Sequence, residues 1–106
     1  MTHFKPTDWW QFLIKAREQG IIGHYDSDKF EVLSSVKGAI TLIRRTKHID
    51  TTVTIYQSSS KQYRMIMYSN IRPLSGYKRG YRTFRSQKDI LAVLSQELRR
   101  IQKNFN

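Results

Sequence analysis

Apolar residues recur along this chain at two spacings, and the change from one to the other divides it into elements. Trp9, Phe12, Leu13 and Ala16 stand at i, i+3, i+4 and i+7, which places them on one stripe of a helix. Thr7 suits the N-cap, Asp8 suits the first turn, and Gly20 suits the position just past the end. Lys15, Arg17 and Glu18 fall largely outside the stripe. Of the adjacent indoles Trp9 and Trp10, the pattern predicts one in the core and the other half-buried, because large aromatics mostly supply buried area.

Beyond a connection over Gly20–Asp28 the period becomes two. Phe30, Val32, Ser34 and Val36 alternate with Glu31, Leu33 and Ser35. Lys37-Gly38 reads as a turn, Ala39 to Arg45 as a second strand, and Lys47 to Asp50 as a break. Thr51 to Gln57 is β-branched, with Val53 and Ile55 on one face and Thr52, Thr54 and Tyr56 on the other. Ser58 to Ser60 reads as a polar turn. In a fourth strand Tyr63, Met65 and Met67, the predicted core row, alternate with Arg64, Ile66 and Tyr68. Asn70 to Gly80, holding Pro73 and Gly76, reads mostly as loop, and Tyr81 to Arg85 as a short fifth strand.

The final segment returns to helical spacing. Ser86 and Asp89 make a capping-box-like start, and Leu91, Leu94, Leu98, Ile101 and Phe105 keep one apolar stripe that Ile90 widens. Arg99, Arg100 and Lys103 occupy the last turns, where cations suit the helix dipole. Links this short cannot accommodate the crossovers of parallel pairing. The expected fold is therefore α+β: an antiparallel meander of four or five strands, with an N-terminal and a C-terminal helix packed on one face. All of residues 1–106 fit a single domain, since one core commonly serves ~100–150 residues. The second face of the sheet would stay open to solvent.

Charge adds what the apolar pattern omits. The chain carries a net charge of +11, and the excess is regional. Residues 1–50 hold eight Lys/Arg against six Asp/Glu, whereas residues 51–106 hold eleven against two. The 38 residues from Thr51 to Lys88 contain no acid but eight cations and six aromatics. A regional excess of this size makes a directed field that attracts a polyanion.

The densest run is Tyr77-Lys78-Arg79-Gly80-Tyr81-Arg82-Thr83-Phe84-Arg85. Arginine forks suit phosphate oxygens and aromatic rings stack on bases. In an unbroken strand Tyr77, Arg79, Tyr81 and Arg85 would share one side, with Lys78, Arg82 and Phe84 on the other, and Gly80 would permit a close approach or sharp turn. Arg72 and Lys88 flank this run. Arg44, Arg45 and Lys47 form a smaller cluster at a strand end. Arg64 and Tyr68, with Thr52, Thr54 and Tyr56, would form an open sheet surface between the two.

Other chemistry is poorly represented. His3, His24 and His48 lie far apart, Asp26 and Asp28 near His24 make only a weak oxygen cluster, and no cysteine is present, so neither a metal nor another cofactor is expected. No phosphate loop, serine-nucleophile motif or paired-carboxylate site is visible. The start Met-Thr-His-Phe-Lys-Pro lacks a signal peptide's apolar run, and no apolar stretch approaches the ~18–20 residues of a membrane span, so a cytoplasmic location and no membrane partner are expected.

The expected function is non-enzymatic binding of DNA or RNA through a basic and aromatic sheet-and-loop surface. One alternative is a basic module or inhibitor docking on an acidic protein. Another is a small basic endoribonuclease of toxin type, using Tyr77, Tyr81, Arg79, Arg82 and His48 in place of acids. An exposed edge strand leaves room for a homodimer.

Overall fold

The computed structural model describes residues 8–23, 28–46, 49–71 and 76–105, with side chains at all of these except 71, 76–79, 81 and 100–105. The elements run α1 (Trp10–Glu18), β1 (Glu31–Val36), β2 (Ala39–Arg45), β3 (Ile49–Ser59), β4 (Gln62–Ile71), β5 (Gly76–Phe84) and α2 (Gln87–Phe105). The strands form one sheet in the order β1-β2-β3-β4-β5, every neighbour antiparallel. This is the α+β meander with a helix at either end that the two apolar periods imply.

The core lies between the sheet and the two helices, on one face. Ile40, Leu42, Val53, Ile55, Tyr63, Met65, Met67 and Phe84 face it from the strands. Trp9, Phe12 and Ala16 meet them from the first helical segment, and Ile90, Leu91 and Leu94 from α2. Trp9 lies edge-on to Phe12 at 5.3 Å and meets Tyr63 at 5.8 Å, which ties the start of α1 to β4. The neighbouring indole of Trp10 is 66% exposed, further out than the half-buried position expected of it.

Local chemistry sets the ends of the helices. At the end of α1, Gly20 takes φ +73°, its N–H donates to the Arg17 carbonyl at 3.1 Å, and the Ile21 N–H donates to the Ala16 carbonyl at 2.9 Å. These are the two reversed bonds of a Schellman ending. They turn Ile21 and Ile22 into the core, where Ile22 bridges Phe30 in parallel, so the expected connection there is a core segment. At the start of α2 the Asp89 N–H donates to Ser86 Oγ at 3.2 Å, the cap expected of that serine. Thr7 lies outside the described residues, and Trp9 rather than Thr7 holds the N-cap position of α1.

Strand ends depart from the alternation because pairing with a neighbour extends them. β3 begins at Ile49 opposite Ile71 and runs through Ser58 and Ser59, so the turn falls at Ser60-Lys61. Gly76 to Gly80, expected as loop, is the first half of β5, with Gly76 opposite Asn70. In β1 an irregularity between Val32 and Ser34 breaks the alternation, and Val36 lies exposed on the open face. No described helix is long and apolar enough to cross a membrane.

Candidate functional site

The twelve residues singled out by charge and aromaticity separate into three environments. Lys47 and Arg72 lie outside the described residues, as do His3, Asp26, His24 and His48. For Tyr77, Lys78, Arg79 and Tyr81 the structure describes the backbone, and all four belong to β5. The remaining six have described side chains.

Arg44 is a buried residue. It follows Ile40 and Leu42 on the core-facing row of β2 and is 2% exposed. Its Nε–H donates to the main-chain carbonyl of Asp28, while Nη1 is buried with no hydrogen-bond partner among the described residues. The same row continues through Thr51 and Ser69, both buried, with their hydroxyl oxygens 3.4 Å apart. Desolvation lowers the pKa of Arg44 from its ordinary value, and the Asp28 and Glu97 carboxylates act against that shift. An arginine stays protonated at neutral pH all the same. Arg44 therefore cannot meet an external phosphate. Arg45 is exposed but spoken for, with Nη1 3.3 Å from Glu31 Oε2 on β1.

The open face is less basic than expected. Pairing places Arg64 beside Tyr56, Ile66 beside Thr54, and Tyr68 beside Thr52. Arg64 is half-buried and Tyr68 exposed. Among the described side chains of this face, Arg45 and Arg64 are matched in number by Glu31 and Asp50.

The remaining three candidates with described side chains, Arg82, Arg85 and Lys88, gather at the opposite side of the sheet from β1, while Lys29 and Lys37 lie beside β1. Arg82 is exposed on edge strand β5, its guanidinium 5.6 Å from the centre of the Phe84 ring, and Arg85 and Lys88 follow where the chain enters α2. No ion pair among the described residues engages these three. A groove of about 470 Å³ between β5 and α2 is lined by Arg82, Phe84, Arg85, Asp89 and Gln96. On the other flank of the first turn of α2, a cleft of about 360 Å³ is lined by Lys15, Glu18, Lys88 and Leu91. The dipole of the helix start adds to the attraction for anions there, and the Asp89 carboxylate in the first turn takes up part of it.

A β-bulge changes the phase of β5. Gly80 pairs with Met67 but Lys78 pairs with Tyr68, leaving Arg79 as the extra residue. Lys78 and Arg82 therefore fall on different rows, not on the shared one expected of an unbroken strand. Gly80 makes no sharp turn; a methyl group added there would meet nothing within 4 Å.

Two features escaped the reading of the sequence. Glu97 is buried on α2, at the stripe position three residues after Leu94 and seven after Ile90. Its helical phase was the available signal, as strand parity with Ile40 and Leu42 was for Arg44. Lys15 joins Lys88 only through the packing of α1 beside α2, which no local pattern reports. The chain matches no protein-family model, no curated protein and no solved structure.

Proposed function

We propose that the chain binds nucleic acid, gripping phosphates along the β5 edge and the start of α2. Arg82, Arg85 and Lys88 are the described contacts. Tyr77, Lys78, Arg79 and Tyr81 are placed on the same edge strand by the backbone. The observation that carries this reading is the polarity of the sheet. Its β5 edge carries Lys78, Arg79 and Arg82 and leads into Arg85 and Lys88, and the exposed Arg82, Arg85 and Lys88 are unpaired among the described residues. Strand β1 at the far edge, Glu31–Val36, contains no cation and is flanked only by Lys29 and Lys37. A field of this kind draws in a polyanion, and Arg forks then hold phosphate oxygens in pairs. Arg44 and Arg45 take no part, Arg44 being buried with its Nε–H on the Asp28 carbonyl and Arg45 being paired with Glu31.

Filter binding of duplex DNA, single-stranded DNA and RNA at several salt concentrations tests the assignment. The triple variant Arg82→Ala/Arg85→Ala/Lys88→Ala should bind more weakly. Its log–log salt slope should fall by ~0.9 per lost contact on duplex DNA, or ~0.7 on a single strand. An unaltered slope in a folded triple variant would remove this surface from consideration.

A further inference from the structure

On the strength of the phosphate contacts proposed above, we infer that the groove between β5 and α2 seats one unpaired nucleobase of a single strand. On β5, Arg82 lies opposite Met65 and Phe84 opposite Tyr63, so both belong to the row that faces the helix. On α2, Asp89, Ala92, Val93 and Gln96 stand at i, i+3, i+4 and i+7, one helical face turned toward that row. The space between them is about 470 Å³, within the ~300–1,000 Å³ usual for small-ligand sites. A second cavity of about 120 Å³ shares Arg82 and Val93 with the groove and reaches Met65, Met67 and Glu97. It stays open because Gly80 brings no side chain into it.

The two walls differ in charge, and the difference selects the occupant. The strand wall carries the guanidinium groups of Arg82 and Arg85, which suit phosphate oxygens. The helix wall carries the Asp89 carboxylate and the Gln96 amide, both exposed, beside Ala92 and Val93. A bare phosphate gains from the first wall and is repelled by the carboxylate of the second. A nucleotide suits both. Its phosphate meets the arginines, its ring lies on the apolar floor, and its edge N–H groups donate to Asp89 and Gln96. In a duplex the pairing edge is occupied, and a stacked base reaches such a pocket only by being flipped out. A paired strand therefore makes phosphate contacts alone, whereas an unpaired one gains the groove as well.

The test compares affinities for a ~12-nucleotide single strand, its base-free sugar–phosphate counterpart and the matching duplex, each as DNA and as RNA. At equal salt the intact single strand should bind about tenfold more tightly than the base-free one. Ala92→Leu narrows the groove at an exposed helix position. It should remove most of that advantage while leaving base-free and duplex affinities unchanged. Gln96→Ala should lessen the same advantage by removing a hydrogen-bonding group. Asp89→Asn should strengthen base-free binding through lost repulsion, yet shrink the advantage of the intact strand. Circular dichroism of each variant confirms folding, and the larger advantage, with DNA or with RNA, identifies the sugar of the natural strand. Equal affinity for intact and base-free strands, or an advantage that survives Ala92→Leu in a folded chain, overturns the base seat while phosphate binding stands. A salt slope that the Arg82, Arg85 and Lys88 triple variant leaves unaltered overturns both.

Discussion

The Nε–H of Arg44 donates to the carbonyl of Asp28, which fastens the segment before β1 to the end of β2. The same guanidinium lies under α2, within reach of the charge on buried Glu97. A cation from one edge of a basic cluster thus serves the interior of the fold.

Removing the Arg44 charge alone should harm stability more than removing the Arg44 and Glu97 charges together. Arg44→Met alone takes away a buried cation that the Asp28 and Glu97 carboxylates favour and should cost about 3 kcal/mol. In the double variant Arg44→Met/Glu97→Met part of that loss should return, because apolar side chains of similar volume often replace buried charges at little cost. Urea titrations of the wild type, both single variants and the double variant give the coupling. Equal losses in single and double variants would disprove it.

Arg45 and Arg82 are both exposed arginines, yet among the described residues only Arg45 has an acidic partner, Glu31. Arg82→Ala should flatten the salt dependence of duplex binding by ~0.9 on the log–log slope, whereas Arg45→Ala should leave it unchanged. Equal effects from the two substitutions would show that pairing with Glu31 does not withhold Arg45.

Gly20 should resist replacement. At φ +73° a side chain is strained, so Gly20→Ala should lower the urea midpoint by an amount worth about 1 kcal/mol, with the m-value unchanged. Gly80 should behave in the opposite way. Its φ is not positive, a methyl there meets only open space, and it borders a cavity of about 120 Å³ lined with Met65, Met67 and Val93. Glycine inside a strand costs about 0.5–1 kcal/mol, so Gly80→Ala should raise the thermal midpoint. A lowered midpoint would mean that the bulge at Arg79 needs the glycine.

The two tryptophans should report separately in fluorescence. Trp9 is 1% exposed and Trp10 66%, so iodide should quench Trp10 readily and Trp9 hardly at all. Trp10→Phe should abolish the quenchable fraction without loss of stability. Trp9→Ala should cost about 3–5 kcal/mol, as expected for a large aromatic removed from a packed core.

Much of the fold was legible in the sequence because its signals are local. The stripe of Trp9, Phe12 and Ala16 forms one helical face, and the alternation of Val53 and Ile55 with Thr52 and Tyr56 marks a half-covered strand. Ends were less legible. Gly76 to Gly80 contains loop-favouring residues, but hydrogen bonds to β4 hold this segment in the sheet, and only the neighbouring strand supplies them. The candidate site was legible only as a region of charge. Half of the Tyr77–Arg85 run was expected as loop and is strand, and the bulge at Arg79 altered which of its residues share a row.

By itself the sequence determined that four or five short strands and two helices enclose one core, and that most cations lie in the later half. Both follow from periodicity and composition, which the chain carries whatever its neighbours do. Tertiary structure decided which of those cations are free. Asp28 and Glu97 reach Arg44, and Glu31 reaches Arg45, only after segments distant along the chain pack together. Whether a guanidinium meets a carbonyl, a carboxylate or water depends on that packing, since electrostatic partners are set by distance in space and by the surrounding dielectric.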